Sequence, residues 1–110
     1  MSYSVRIRPE AQLDFDEQLE HIAEGSFEGA LRWEGAFRGT VRRLGENPHH
    51  FGPAHEEVVL RLGLRSAPFR TKYGNNYQII YVIDGEIVSI LRIRGQGQQD
   101  LTKSDLPSEH

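Results

Sequence analysis

The sequence contains no cysteine, which excludes a disulfide framework and any thiolate metal site and suits a reducing compartment. It also has no stretch approaching the roughly 18 apolar residues of a membrane-spanning helix. Its opening, MSYSVRIRPEAQ, lacks the apolar core of a secretory signal, so the chain is expected to be cytoplasmic and to have no membrane partner. No segment repeats, and 110 residues fit one domain around one hydrophobic core, with a modest stability to which a partner can add. His49, His50 and His55 crowd a proline-containing loop without the spacing of a ligand set, so neither a metal nor a cofactor is expected. The run GQGQ, residues 95–98, lacks the third glycine and following helix of a dinucleotide loop and the lysine of a phosphate loop, and reads as a strand exit.

What is present is an uneven distribution of charge. The net charge is -3, but residues 1–30 hold only Arg6 and Arg8 against Glu10, Asp14, Asp16, Glu17, Glu20, Glu24 and Glu28. Residues 61–94 reverse the balance, with Arg61, Arg65, Arg70, Lys72, Arg92 and Arg94 against Asp84 and Glu86. Local potential governs anionic contacts more than net charge does, so an acidic chain can still carry a basic patch. The acids of the first segment fall between apolar residues and read as a solvated helix face.

The punctuation of the chain outlines its elements. Tyr3, Val5 and Ile7 alternate with polar residues, the period of a half-buried strand, which Pro9 ends. Ala11, Phe15, Leu19, Ile22 and Ala23 then recur at helical spacing up to Gly25, and Ser26 is placed to cap a second helix carrying Ala30, Trp33, Phe37, Val41 and Leu44. Asn47-Pro48 stops it, and the minimal linker makes the two helices an antiparallel hairpin. Gly35 and Gly39 read as packing features allowing close backbone approach. The stretch VVLRLGL, residues 58–64, is compatible with either a strand or a helical turn.

From residue 67 onward the signal is β: PFRTKYGNNYQ suggests a strand and turn, and YQIIYVI and EIVSILRIR flank Asp84-Gly85, a preferred hairpin turn. The expected fold is therefore α+β, an N-terminal strand and an antiparallel helical hairpin packed on one face of a mainly antiparallel sheet of about four strands. Residues 1–101 form the domain, and the apolar-poor tail, residues 102–110, is expected to fray.

A two-residue turn at Asp84-Gly85 pairs Tyr81 with Val88, Ile79 with Ile90 and Tyr77 with Arg92. Ile80, Val82, Ile87, Leu91 and Ile93 then form the face that packs on the helices. A further turn centred on Gly74-Asn75 brings Arg70 and Lys72 to the tyrosine face. Arg70, Lys72, Tyr77, Tyr81, Arg92 and Arg94 are thus expected to converge on one exposed surface. Cations among tyrosines suit phosphates and stacked bases, and suit an acidic protein equally. In the plainer alternative, the arginines merely snorkel from a solvated sheet.

The order strand, acidic helical hairpin ending RRLGENPHHFGPAHE, then FRTKYGNNYQIIYVIDGEIVSILRIRGQGQ, resembles the RelE/ParE superfamily of bacterial type II toxins over nearly residues 3–101. The resemblance implies a small toxin neutralised by a cognate antitoxin, alone as a homodimer or with the antitoxin as a heterotetramer. It implies one of two targets: ribosome and messenger RNA, cut by RelE-like members, or DNA gyrase, inhibited by ParE-like members. A toxin-like fold without toxicity is a third reading. By position, Arg70 matches the arginine the family places before the central strand, and Arg92 and Arg94 match its basic last strand. Many relatives have a histidine after that strand, and this chain has Gly95.

A ribonuclease needs a proton acceptor, a donor and cationic stabilisation of the phosphorane. Arg70, Lys72, Tyr77 and Arg92 are the residues available for that chemistry. Lysine and tyrosine titrate near 10, far from neutrality. The missing histidine and the acidic net charge favour ParE-like inhibition of gyrase.

Overall fold

A computed structural model describes residues 2–51, 62–72, 74–95 and 105–106. His55, the polar run after Gly95 and most of the C-terminal tail lie outside the described residues. Strand β1 (Ser4–Ile7) leads into helix α1 (Pro9–Gly25), with Pro9 in the first turn, where its missing N–H has no cost. Ser26 alone separates α1 from α2 (Phe27–Glu46), and its hydroxyl accepts the Gly29 N–H at 2.9 Å. Helix α2 stops at Asn47, before a short turn over Pro48–His50.

Strands β2 (Arg65–Phe69), β3 (Tyr77–Asp84) and β4 (Ile87–Gly95) form the antiparallel meander, and β1 joins it parallel to β4, giving the order β1-β4-β3-β2. The α+β arrangement is the one expected, with β2 beginning at Arg65, directly after the ambiguous stretch. Pro68 lies in β2, an edge strand, where a missing N–H leaves no ladder bond unmade.

The register departs from expectation. The two residues of the hairpin turn are Gly85 and Glu86, because Asp84 pairs with Ile87. Gly85 takes φ +61, a value suited to glycine as first central residue of a two-residue hairpin loop. Ile83 then faces Val88 and Tyr81 faces Ile90, but Ile80 faces Arg92, so Leu91 is the extra residue of a β-bulge. Beyond it Ile79 pairs with Ile93, Gln78 with Arg94 and Tyr77 with Gly95. One inserted residue reverses which face each later side chain occupies, so the bulge separates Arg92 and Arg94 from the tyrosines.

The helices cover the opposite sheet face from the one expected. Tyr77, Ile79, Tyr81, Val88, Ile90 and Ile93 join Trp33, Phe37 and Leu44 in the main core. Ile80 and Leu91, with Val82 against them, form a smaller cluster with Leu64 and Leu106. Both faces are apolar, so alternation alone cannot choose between them. Aromatic packing chooses: Phe15 lies 4.8 Å from Phe37, and Trp33 lies 5.4 Å from Tyr77 and 5.7 Å from Phe69, ring centre to ring centre. Aromatic side chains bury about 150–250 Å² each, so the face that gathers them is the one the helices close. Leu106, in the tail expected to fray, is 8% exposed. Gly35 and Gly39 face open space, so neither serves a close approach.

Candidate functional site

Arg92 is not a free surface cation. Its Nε and one Nη donate to the two carboxylate oxygens of Asp14 at 2.7 and 2.9 Å, and its other Nη donates to the Asp105 carbonyl at 2.7 Å. Asp14 holds the guanidinium pKa above its ordinary value, and the burial that opposes this is the smaller effect. The arginine therefore links α1, β4 and the backbone at Asp105.

The tyrosines are internal as well. Tyr81 is fully buried, and its hydroxyl donates to the Pro48 carbonyl at 2.6 Å. Burial pushes its pKa up to about 12, against the opposing charge of Arg65. Tyr77 is 8% exposed, and burial raises its pKa too, offset in part by a hydrogen bond with Gln18. Arg94 is half-buried on the face opposite Tyr77, in register with Gln78. Arg70 and Lys72 come after β2, and both are exposed. The six residues expected on one surface are thus divided: two arginines on the outer sheet face, two tyrosines under the helices, and Arg70 and Lys72 at the end of the sheet.

Accessible chemistry lies elsewhere. An open groove of about 530 Å³ is formed by β1, α1 and α2, with Ile7, Phe15, Phe37 and Val41 as apolar lining and Arg38 and Arg42 as cations. Ile7 is 39% exposed there, and Arg38 is held by Glu34 at 3.4 Å. The signal for this groove stands in the sequence as arginines four apart on α2, flanking Val41 of its apolar stripe. Both arginines lie between the acidic residues 1–30 and the basic residues 61–94, outside the charge imbalance of those segments. Among the described residues, no group of three or more acidic, histidine or cysteine side chains is placed to hold a metal ion. No described helix is long and apolar enough to cross a membrane.

A family model described as the ParE toxin of the type II toxin-antitoxin system parDE matches residues 5–100. The chain belongs to this family. It is a ParE-like toxin, and the match spans β1 through β4 together with both helices. The fold of this ParE-family chain is similar to a chain of the chromosomal ParDE toxin-antitoxin system from P. aeruginosa, with a TM-score of 0.67 and 20% identity, covering 86% of this chain and 96% of that one. It is also similar to a chain of the RelBE2 toxin-antitoxin complex from Mycobacterium tuberculosis, with a TM-score of 0.52 and 25% identity, covering 87% of this chain and 100% of that one. None of the curated proteins matches the sequence.

Proposed function

We propose that this ParE-like toxin acts by binding and not by cutting: it inhibits DNA gyrase and is kept inactive by a cognate antitoxin that occupies the groove between β1 and the helices. The observation that carries the reading is the engagement of Arg92 with Asp14. A ribonuclease would need that guanidinium to face a phosphorane, and here it faces a carboxylate of its own chain. The candidate proton carriers point the same way, because burial raises Tyr77 further from neutrality. The antitoxin part rests on the groove, whose apolar floor and arginine rim suit an amphipathic acidic segment.

Purified protein added to a gyrase supercoiling assay and to a translating ribosome assay separates the mechanisms. Inhibited supercoiling with intact message is the expected result. Cleaved message with unaffected gyrase overturns the reading in favour of a RelE-like endoribonuclease. Normal growth at high levels of soluble, antitoxin-free protein would show a toxin fold without toxicity.

A further inference from the structure

A second open cleft, of about 490 Å³, lies beside the last turns of α2, the end of β2 and the start of β3. Arg43 comes from α2, Arg70 directly follows β2, Asn76 directly precedes β3 and Gln78 lies within it, and Phe69 and Tyr77 supply the aromatic part of the lining. Those rings are stacked, 5.5 Å apart at 28°.

The polar lining is rich in donors. The Gln78 carbonyl oxygen accepts from the Ser66 hydroxyl at 2.8 Å, which leaves its amide nitrogen to donate elsewhere. Arg43 gives one Nη to the Thr40 hydroxyl at 3.0 Å. Among the described residues neither Arg43 nor Arg70 is ion-paired, whereas Arg32, Arg38 and Arg92 meet Glu28, Glu34 and Asp14. Two such guanidinium groups beside amide donors complement a planar carboxylate, which each can grip with two parallel N–H groups. The small aromatic surface that Phe69 and Tyr77 leave exposed, 6% and 8%, suits an apolar neighbour of that carboxylate.

The surroundings limit the ligand. Tyr77 also borders a pocket carrying Asp14 and Glu17, so a long phosphate backbone leaving the cleft past Tyr77 meets like charge, and a single carboxylate does not. Continuity with the groove names the source. Arg42 lines the groove and Arg43, the next residue of α2, lines the cleft, so a chain crossing the end of α2 engages both.

We propose that the cleft is a second anchor for the antitoxin, binding an acidic side chain flanked by an apolar one. This inference rests on the reading that an antitoxin neutralises this chain. The test has two arms. In the first, isotope-labelled protein is titrated with the blocked peptide acetyl-Gly-Phe-Glu-Phe-Gly-amide, its glutamine counterpart, and a short oligothymidylate. Amide shifts at Arg70, Asn76 and Gln78 with the glutamate peptide, and none with the glutamine peptide, are expected. In the second arm, the Arg43→Gln/Arg70→Gln variant is assayed against the protein encoded by the adjacent reading frame. The double variant is expected to weaken that complex by roughly tenfold or more, as loss of charge-assisted hydrogen bonds implies, while keeping its folded spectrum.

Equal binding of the two peptides, displacement of the glutamate peptide by the oligothymidylate, or a double variant that binds like the parent overturns the proposal. If the parent forms no complex at all, the antitoxin reading itself fails and this inference with it. A parent complex indifferent to the double variant sinks the second anchor alone.

Discussion

Asp14 on α1 binds the Arg92 guanidinium on β4 through both carboxylate oxygens, at 2.7 and 2.9 Å, and one of those oxygens also accepts the Ile93 backbone N–H at 3.0 Å. β1 ends its pairing with β4 at Ile90. The next stretch of β4 would otherwise present an open backbone edge, and the carboxylate takes the place of the missing strand.

Asp14→Ala is therefore expected to destabilise the fold by about 2–3 kcal/mol, since it leaves a largely buried guanidinium and a strand N–H without their acceptor. Urea unfolding measures it. Arg92→Ala should cost a similar amount and lower activity through the loss of folded protein. A double-mutant cycle returning no coupling between the two positions would refute the structural role.

Alkaline stability should depend on Tyr81. Its hydroxyl titrates near 10 in the unfolded chain and is pushed up to about 12 in the fold. Between these values the folded state holds the proton that the unfolded state has lost, so stability is intact below about pH 10 and falls as pH rises toward 12. Tyr77 shifts in the same direction. Tyr81→Phe should flatten part of this decline and, at neutral pH, cost about 1–2 kcal/mol for the lost bond to the Pro48 carbonyl. Chemical unfolding across the alkaline range, with variant and parent compared, reads both effects.

Gly35→Ala and Gly39→Ala should each stabilise the protein by about 0.5–1 kcal/mol. Both glycines lie within α2, and an added Cβ meets nothing within 4 Å at either. A fall in the thermal midpoint would mean that one of these positions needs its glycine for a contact the isolated chain does not make.

Arg42→Glu on the groove rim should weaken the antitoxin complex by about tenfold or more, because it sets like charge against an acidic segment, and should leave the unfolding midpoint nearly unchanged. Calorimetric titration with the protein from the adjacent reading frame tests this. Undiminished affinity would move the antitoxin away from the groove.

Strong local signals settled much of this protein. Pro9, Ser26 and Asn47-Pro48 punctuate the two helices, helical spacing marks Trp33, Phe37 and Leu44 as core, and alternation with an Asp-Gly pair marks the last hairpin. Each of these depends on neighbours a few residues away, which is the range over which a sequence acts directly. Residues 42–56 and 69–98 carry the family resemblance, and the family model spans them.

Only the tertiary structure decided which side of the sheet is inside. Ile79 and Tyr81 alternate with Ile80 and Val82, so both faces are apolar and periodicity is indifferent between them. The helical aromatics make the choice by closing over Tyr77 and Phe69. The bulge at Leu91 then turns Arg92 and Arg94 to the other side. A strand's pattern fixes which residues alternate, but a single extra residue reverses the facing of every later side chain, and whether one is accommodated depends on contacts distant in the chain. The partner of Arg92, Asp14, lies 78 positions away, beyond the reach of any local pattern.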